Sequence, residues 1–409
     1  MNTPAVVKLG LGAEGLEASR EHEALDNHVG EFVRLRREIH RNPELAFDEH
    51  RTGTLVAEKL TAWGYEVGRV GGTGVVGRLR RGSGLSTLGI RADMDALPIN
   101  EASGVAWSSQ RAGIMHACGH DGHTAILLAA ARQIAEHGNF WGTLNLIFQP
   151  GEESGGGALR MIEDGLFARY PCDAVFAMHN VPGVPQGHLV FRDGAAMASS
   201  DFASITLSGT GGHGAMPHQT TDPIVAAASL VTALQTIVSR NVDPTQMAVV
   251  TVGAMHSGHA SNVIPSSATL EVNVRALDPE VRLTLRSRVE AIATAQAECF
   301  CVEAKIDWRQ GYSVLVNSPA PTDFARSVGL ELNGDSGVTL QGEAQSASED
   351  FAFMLEQVPG CYLLIGNGDG ENACMVHSPR YDFNDDNVAI GSAYWKLLVE
   401  RFLPVPAGA

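Results

Sequence analysis

Residues 116–123 read His-Ala-Cys-Gly-His-Asp-Gly-His and hold one thiol, three imidazoles and a carboxylate, the densest set of transition-metal donors in the chain. Thiolate and imidazole suit zinc, and imidazole also suits manganese, iron, cobalt and nickel, so Cys118 and His120 are candidate ligands. Glu152, Glu153, His179 and His377 are further candidates, each just past a short apolar run. A structural zinc site closes on four protein ligands, whereas a hydrolytic site keeps a position for water. Adjacent carboxylates at 152 and 153 permit a division of labour in which one binds metal and the other handles protons. Alone, a Glu pair reads as solvated surface and His179 as a core histidine. Together with residues 116–123 they read as a metalloenzyme.

These side chains need elements to position them. Apolar runs at 86–90, 143–148 and 173–178 predict buried strands, and helical spacing at 124–136 and 158–164 lies between them. That alternation predicts an α/β sheet with helices on its faces. Asp93 and Asp95, then Glu152 and Glu153, then His179 follow these strands, and ligands collect at the carboxyl ends of strands in open α/β sheets. Helices are also expected at 31–38 and 52–63. The middle of the chain has another order: strand 202–208, helix 222–239, strands 248–255 and 268–276, helix 279–298 and strand 302–308. This β-α-β-β-α-β sequence is the ferredoxin-like pattern and reads as an inserted domain. Helices at 321–332, 348–357 and 386–402 and a strand at 361–365 follow. If His377 joins residues 118–120, the catalytic domain is discontinuous, with 1–195 and 311–409 flanking an insertion at 196–310. The first 28 residues lack sustained periodicity and read as a loose tail or an added short helix.

With 409 residues the expected count is two domains. The 29 Lys and Arg against 46 Asp and Glu give a formal charge of −17, which repels phosphate backbones and anionic lipid, so neither nucleic acid nor membrane is an expected partner. No apolar stretch long enough to span a bilayer is read, and residues 1–21 lack the basic and apolar regions of a secretory signal. Six cysteines, two of them as close as Cys299 and Cys301, fit a reducing cytoplasm.

The motifs resemble those of the amidohydrolase branch of the aminoacylase and glutamate carboxypeptidase family of dinuclear metallopeptidases, which includes hippurate hydrolases and hydrolases of indole-acetyl-amino-acid conjugates. The resemblance rests on Arg37-Glu38-Ile39-His40-Arg41-Asn42-Pro43-Glu44, Arg91-Ala92-Asp93-Met94-Asp95-Ala96-Leu97-Pro98, residues 116–123, Gln149-Pro150-Gly151-Glu152-Glu153, Gly211-Gly212-His213-Gly214-Ala215-Met216-Pro217-His218, Asn262-Val263-Ile264-Pro265, Ser348-Glu349-Asp350-Phe351 and the loop of His377. They run in order from residue 31 to about residue 400. The resemblance implies an α/β, mixed-sheet metallopeptidase catalytic domain with an inserted ferredoxin-like α+β lid and dimerisation domain. It implies two divalent ions per subunit (Zn, Mn, Co or Ni) held by Cys118, His120, Glu153, His179 and His377, with Glu152 as general base and Asp95 orienting the site. His213, Asn262 and Arg275 stand where relatives carry residues that reach an active site, sometimes across a dimer. Two departures are visible: Gly151 stands where Ala is frequent, and His256-Ser257-Gly258-His259 adds imidazoles before Asn262, which bears on acyl-group specificity.

The reaction so implied is hydrolysis of the amide bond of N-acyl amino acids, hippurate-like or N-acetyl, by a metal-bridging water whose proton Glu152 takes. His213 would stabilise the oxyanion, and Asn262 and Arg275 would grip the α-carboxylate. By analogy the enzyme would be a homodimer or homotetramer. Two other classes stay open at this point. One is an amidase using Cys118 as nucleophile with His120 or His123 as base. The other is a non-catalytic metal- or ligand-binding protein on the same fold.

Overall fold

Residues 29–41 form a helix whose inward face carries Phe32, Arg36, Ile39 and His40, all buried, so two polar side chains share the apolar stripe. The computed structural model describes residues 29–370 and 373–408; the stretch read above as a loose tail or short helix lies outside the described residues. The chain divides into two compact units. One runs through Glu153 and adds Met178–His188 and Leu364 onward; the other holds Ser154–Ala177 and Leu189–Leu363.

The first unit is built on a mixed sheet. Glu66–Arg69, Val75–Arg81, Gly142–Gln149 and Thr87–Asp93 lie side by side in that order, followed by Ala174–Val181 and Gly360–Gly366, which give this unit their carboxyl-terminal residues. Val75–Arg81 runs antiparallel to Gly142–Gln149, whereas Thr87–Asp93 runs parallel to it with Asp93 beside Gln149. That parallel register ends both strands at one level, so Asp93 to Asp95 and the turn carrying Glu152 and Glu153 emerge next to each other. The helix His120–His137 is buried throughout its first twelve residues and rich in Ala and Leu, as a helix enclosed on every side must be. The closing helix Asn387–Phe402 comes close to it at Gly391, where a Cβ would lie 2.8 Å from Ile126. The strands Glu66–Arg69 and Val75–Arg81 were not foreseen. Gly64, Gly68, Gly71, Gly72, Gly74 and Gly77 interrupt the pattern there, and Arg78, Arg80 and Arg81 dilute it.

The second unit contains the foreseen β-α-β-β-α-β order. Its antiparallel sheet runs Ala248–Ser257, Ser267–Ala276, Asp201–Ser208, Glu303–Gln310 across its width. Alternation along Ser267–Ala276 buries Ala268, Leu270, Val272, Val274 and Ala276 in a core shared with Leu230 and Leu234 and with Leu285 and Val289 from the helices. Both helices start as their sequences dictate. Asp222 Oδ1 accepts from Ile224 N at 2.9 Å and Asp278 Oδ1 from Glu280 N at 2.8 Å, each with Pro at the first helical position. The single helix expected over 222–239 is two, Pro223–Leu234 and Thr236–Asn241, broken at Gln235. At the break the Thr236 hydroxyl donates to Ala233 O at 2.7 Å, a local bond that competes with the helical ladder. Taken together, Pro223–Asn241 is long and apolar enough to cross a membrane, which corrects the reading that no stretch was. Its apolar residues Ala226, Ala227, Leu230, Leu234 and Ile237 are spent on the unit's own core.

Candidate metal centre and active site

Cys118, His120 and His179 bring their donor atoms within 4.8 Å of one another, and so do Cys118, Glu153 and His377, and His120, Glu152 and Glu153. Every ligand candidate and Glu152 therefore gather in the first unit, from four separate stretches of chain. His120 begins the helix His120–His137, so the donor-rich octad is half loop and half helix. Gly119 precedes it at φ 94, and a Cβ there would collide with the side-chain amide of Asn180 and lie 2.6 Å from Tyr381 Oη. Only glycine lets Cys118 and His120 face the same space. His179 lies within the strand Ala174–Val181 rather than just past its end. His377 sits at φ 65 on an exposed loop, with its backbone N–H donating to Ala117 O at 2.7 Å and its Nε2 3.1 Å from Glu153 Oε1.

Asp95 ties the parts together. Its Oδ1 accepts from Glu152 N at 3.0 Å and lies 3.2 Å from His120 Nδ1, and its Oδ2 accepts from Glu153 N at 3.0 Å. With His120 Nδ1 facing a carboxylate, the lone pair is left on Nε2. His179 is set the same way, since its Nδ1 faces Asn180 O at 2.7 Å and its Nε2 lies 3.4 Å from Cys118 Sγ. His120 Nε2 is buried with no hydrogen-bond partner among the described residues, and buried Glu153 Oε1 has His377 Nε2 at 3.1 Å but no well-formed hydrogen bond. The His120 and Glu153 atoms stand 3.9 Å apart, a gap that two metal–ligand bonds of about 2.0–2.2 Å can bridge. Orphaned buried donors and acceptors of this kind fit a divalent cation.

The electrostatics have the same sense. Burial, and then the carboxylates of Glu153, Glu152 and Asp93, push the Cys118 thiol well above its ordinary range. Burial opposes protonation of His120, but Asp93, Asp95 and Glu153 outweigh it and push His120 up to about 10. Burial and the neighbouring His123 ring hold His179 well below its usual value, a neutral imidazole ready to ligate. The cluster is an electronegative pocket short of positive charge.

Asp93, His123 and Asn180 also belong to this scaffold. Asp93 Oδ1 lies 2.6 Å from His123 Nδ1 and its Oδ2 2.7 Å from Arg91 Nη1; burial would raise this carboxyl, yet His120, Arg91 and His123 hold it well below the usual range. His123 Nε2 lies 2.7 Å from Asn180 Oδ1, so Asp93 and His123, although close enough with His120 to share an ion, are already committed to one another, to Arg91 and to Asn180. The signal for Asp93 was available, because positions 93 and 95 are two apart at a strand end and project the same way. His213, Asn262 and Arg275 lie in the second unit. His213 lies in a short ribbon, Gly212–His213 against Val263–Ile264, and Asn262 immediately precedes its second strand, where Gly214 N donates to Asn262 O at 2.8 Å; both residues are exposed. Arg275 lies on the strand Ser267–Ala276, donating to Asn273 Oδ1 at 3.0 Å and Ser346 O at 2.9 Å.

A family model for peptidases M20/M25/M40 matches residues 89–401. The chain belongs to peptidase family M20/M25/M40. It is 45% identical over 375 residues to the hippurate hydrolase of Campylobacter jejuni, covering 91% of this chain and 97% of that one. It is 36% identical over 367 residues to the N-acetyl-L-cysteine deacetylase of Bacillus subtilis, covering 89% and 86%. Among solved structures, the Bacillus subtilis YXEP protein, a dinuclear metal binding peptidase of the M20 family, superposes with a TM-score of 0.81 at 29% identity over 92% of this chain and 99% of that chain. This M20 chain has the family's mixed α/β fold and is a hydrolase of amide bonds that works with divalent metal.

Proposed function

We propose that this M20 enzyme hydrolyses the amide bond of N-acyl amino acids, hippurate-like or N-acetyl, with two divalent ions held by Cys118, His120, Glu153, His179 and His377 and with Glu152 as general base. The carrying observation is that two donor groups, Cys118 with His120 and His179 and Cys118 with Glu153 and His377, share one thiol, while Glu152 groups with His120 and Glu153. When bound, such ions supply Lewis acidity, lowering the pKa of a water and polarising the scissile carbonyl. Glu152 takes the proton of the attacking water on a carboxylate oxygen and returns it to the leaving nitrogen. Asp95 keeps the backbone of Glu152 and Glu153 in place and fixes the tautomer of His120. Burial of Glu152 and His120 limits competing water.

The substrate class draws on the hippurate hydrolase and the N-acetyl-L-cysteine deacetylase. His213 is proposed as the oxyanion donor and Asn262 and Arg275 as the grip on the α-carboxylate; the backbone bond from Gly214 N to Asn262 O, which sets Asn262 beside the ribbon of His213, supports a joint role. A site of mixed S, N and O donors accepts Zn, Mn, Co or Ni. We place the enzyme in the cytoplasm as a homodimer or homotetramer, with residues 196–310 as its lid and dimerisation domain between catalytic segments 1–195 and 311–409.

The test is release of free amino acid from a panel including hippurate and N-acetyl amino acids, by metal-loaded wild type and by Glu152→Gln at equal metal content. Loss of general acid–base catalysis is expected to lower kcat by about 10²–10⁴. Turnover that survives both the substitution and a chelator refutes the proposal.

A further inference from the structure

The chain just before the helix His50–Ala62 touches the turn that carries Glu152. Gly151 opens that turn at φ 60, and a Cβ there would lie 3.0 Å from the ring of Phe47. Phe47 itself sits at φ 64, a left-handed conformation that bulky residues rarely adopt and that persists only where the surroundings impose it. Two residues on, Glu49 is wholly buried. Its Oε1 accepts from Gly151 N at 2.8 Å and its Oε2 from Thr73 Oγ1 at 2.5 Å. The next two backbone N–H groups, of Glu152 and Glu153, go to the two oxygens of Asp95, each at 3.0 Å. Three consecutive amides of one turn thus end on two buried carboxylates from two other stretches of chain. Burying a carboxylate is costly unless its hydrogen bonds are met, and those of Glu49 are met by Gly151 of the turn it holds and by Thr73.

We infer that Glu49 is a positioning residue for amide hydrolysis, holding the Gly151–Glu153 turn jointly with Asp95 so that the Glu152 carboxylate keeps one direction. The inference rests on the reading of Glu152 as general base. Phe47 backs the same turn from the side of Gly151. Glu49 acts through its acceptor oxygen, so Gln, whose carbonyl oxygen reaches Gly151 N and whose amide faces Thr73 Oγ1, substitutes for it. Asp keeps the charge but is one methylene short.

The test compares Glu49→Gln, Glu49→Asp and Glu49→Ala by hydrogen–deuterium exchange of the peptide spanning 149–153 and by steady-state hippurate hydrolysis with the metal-loaded enzyme. The expected result is exchange at least tenfold faster in that peptide for Asp and Ala, with the helix His120–His137 unchanged. Their kcat falls about tenfold to a hundredfold with KM within twofold, and Gln stays within threefold of wild type in both readouts. In a Glu152→Gln background Glu49→Asp lowers the residual rate less than twofold, because the group it positions is gone. If Glu49→Ala does not fold, the contrast between Gln and Asp decides. Unchanged exchange, Gln as damaging as Asp, or a full loss from Glu49→Asp in the Glu152→Gln background overturns the positioning role. Undiminished turnover by Glu152→Gln alone sinks the general-base reading and the positioning role with it, whereas the other failures sink only the latter.

Discussion

Replacing Asp95 by Asn isolates the scaffold of the site from its ligands. The carboxylate meets three groups: Glu152 N at 3.0 Å, Glu153 N at 3.0 Å and His120 Nδ1 at 3.2 Å. The amide keeps one acceptor oxygen and turns its NH2 toward a backbone N–H or toward His120 Nδ1–H. Hydrogen bonds to a charged group contribute about 1.5–3 kcal/mol, and a buried donor left unmet costs about 1–3 kcal/mol. One such loss at roughly 1.4 kcal/mol per decade corresponds to a tenfold to hundredfold effect, the size measured when a partner of a ligating His is removed. Zinc affinity, read by competition against a chromogenic chelator at pH 7, is expected to weaken by that factor. At saturating zinc, kcat on hippurate is expected to fall by about the same factor, because the backbone of Glu152 is released as well. Wild-type affinity together with wild-type kcat in Asp95→Asn refutes the scaffold assignment.

Metal uptake near pH 7 is expected to release about two protons, one from the Cys118 thiol, held well above its ordinary range, and one from His120, held at about 10, with none from His179. Calorimetry in buffers of different ionisation enthalpy counts them, and no proton release contradicts the ligand set. His40 is buried between Asp121 and Glu101, at 2.8 and 3.2 Å; burial works against protonation, yet the carboxylates raise the imidazole to about 9 from 6.5. Because the folded value is the higher one, its stabilisation is complete below pH 6.5 and lost as pH rises through 9, about 3 kcal/mol for the change of 2.5. Unfolding midpoints of wild type and His40→Gln should converge over that window, and parallel pH curves would count against it. Gly119→Ala should lose metal as well as stability, since about 1–2 kcal/mol of left-handed backbone cost comes with a collision at Asn180; an unchanged metal content after dialysis speaks against a glycine requirement between the ligands.

The α/β alternation was legible because fully buried strands such as Gly142–Gln149 are plain apolar runs bounded by turns. The same rule missed Val75–Arg81, where three buried residues are followed by a half-exposed arginine-rich stretch. The ligand candidates were legible by residue type and by position near strand ends. Most of their partners were not, since Asn180 and Glu49 are ordinary polar residues until the fold sets them against His123 and Gly151. Arg36 is the sharpest case. A guanidinium on the buried face of residues 29–41 looks like an error of amphipathic pattern, yet it meets Asp121 at 3.4 Å, Asp382 at 2.8 Å and Asp385 at 2.7 Å. It thereby joins the helix that starts with His120 to the loop that follows His377.

Between a metal ligand and a nucleophile, the sign of its surroundings favours the proposed ligand role for Cys118. A nucleophilic cysteine needs positive charge or a helix N-terminus close to its sulfur to lower the thiol pKa. Although the helix His120–His137 starts two residues on and His120 favours its charged form, burial and three carboxylates outweigh both and raise the thiol, and the His179 ring 3.4 Å from the sulfur is held neutral. A base cannot easily make a thiolate against that field, whereas Cys118, with Glu152, Glu153 and Asp93 close by, would favour its thiolate form once a divalent cation offset their charge. The features that disfavour Cys118 as a nucleophile also favour a cation in the pocket. Alkylation of the metal-free protein should therefore proceed no faster at Cys118 than at exposed Cys299, and faster modification at Cys118 reopens the cysteine mechanism.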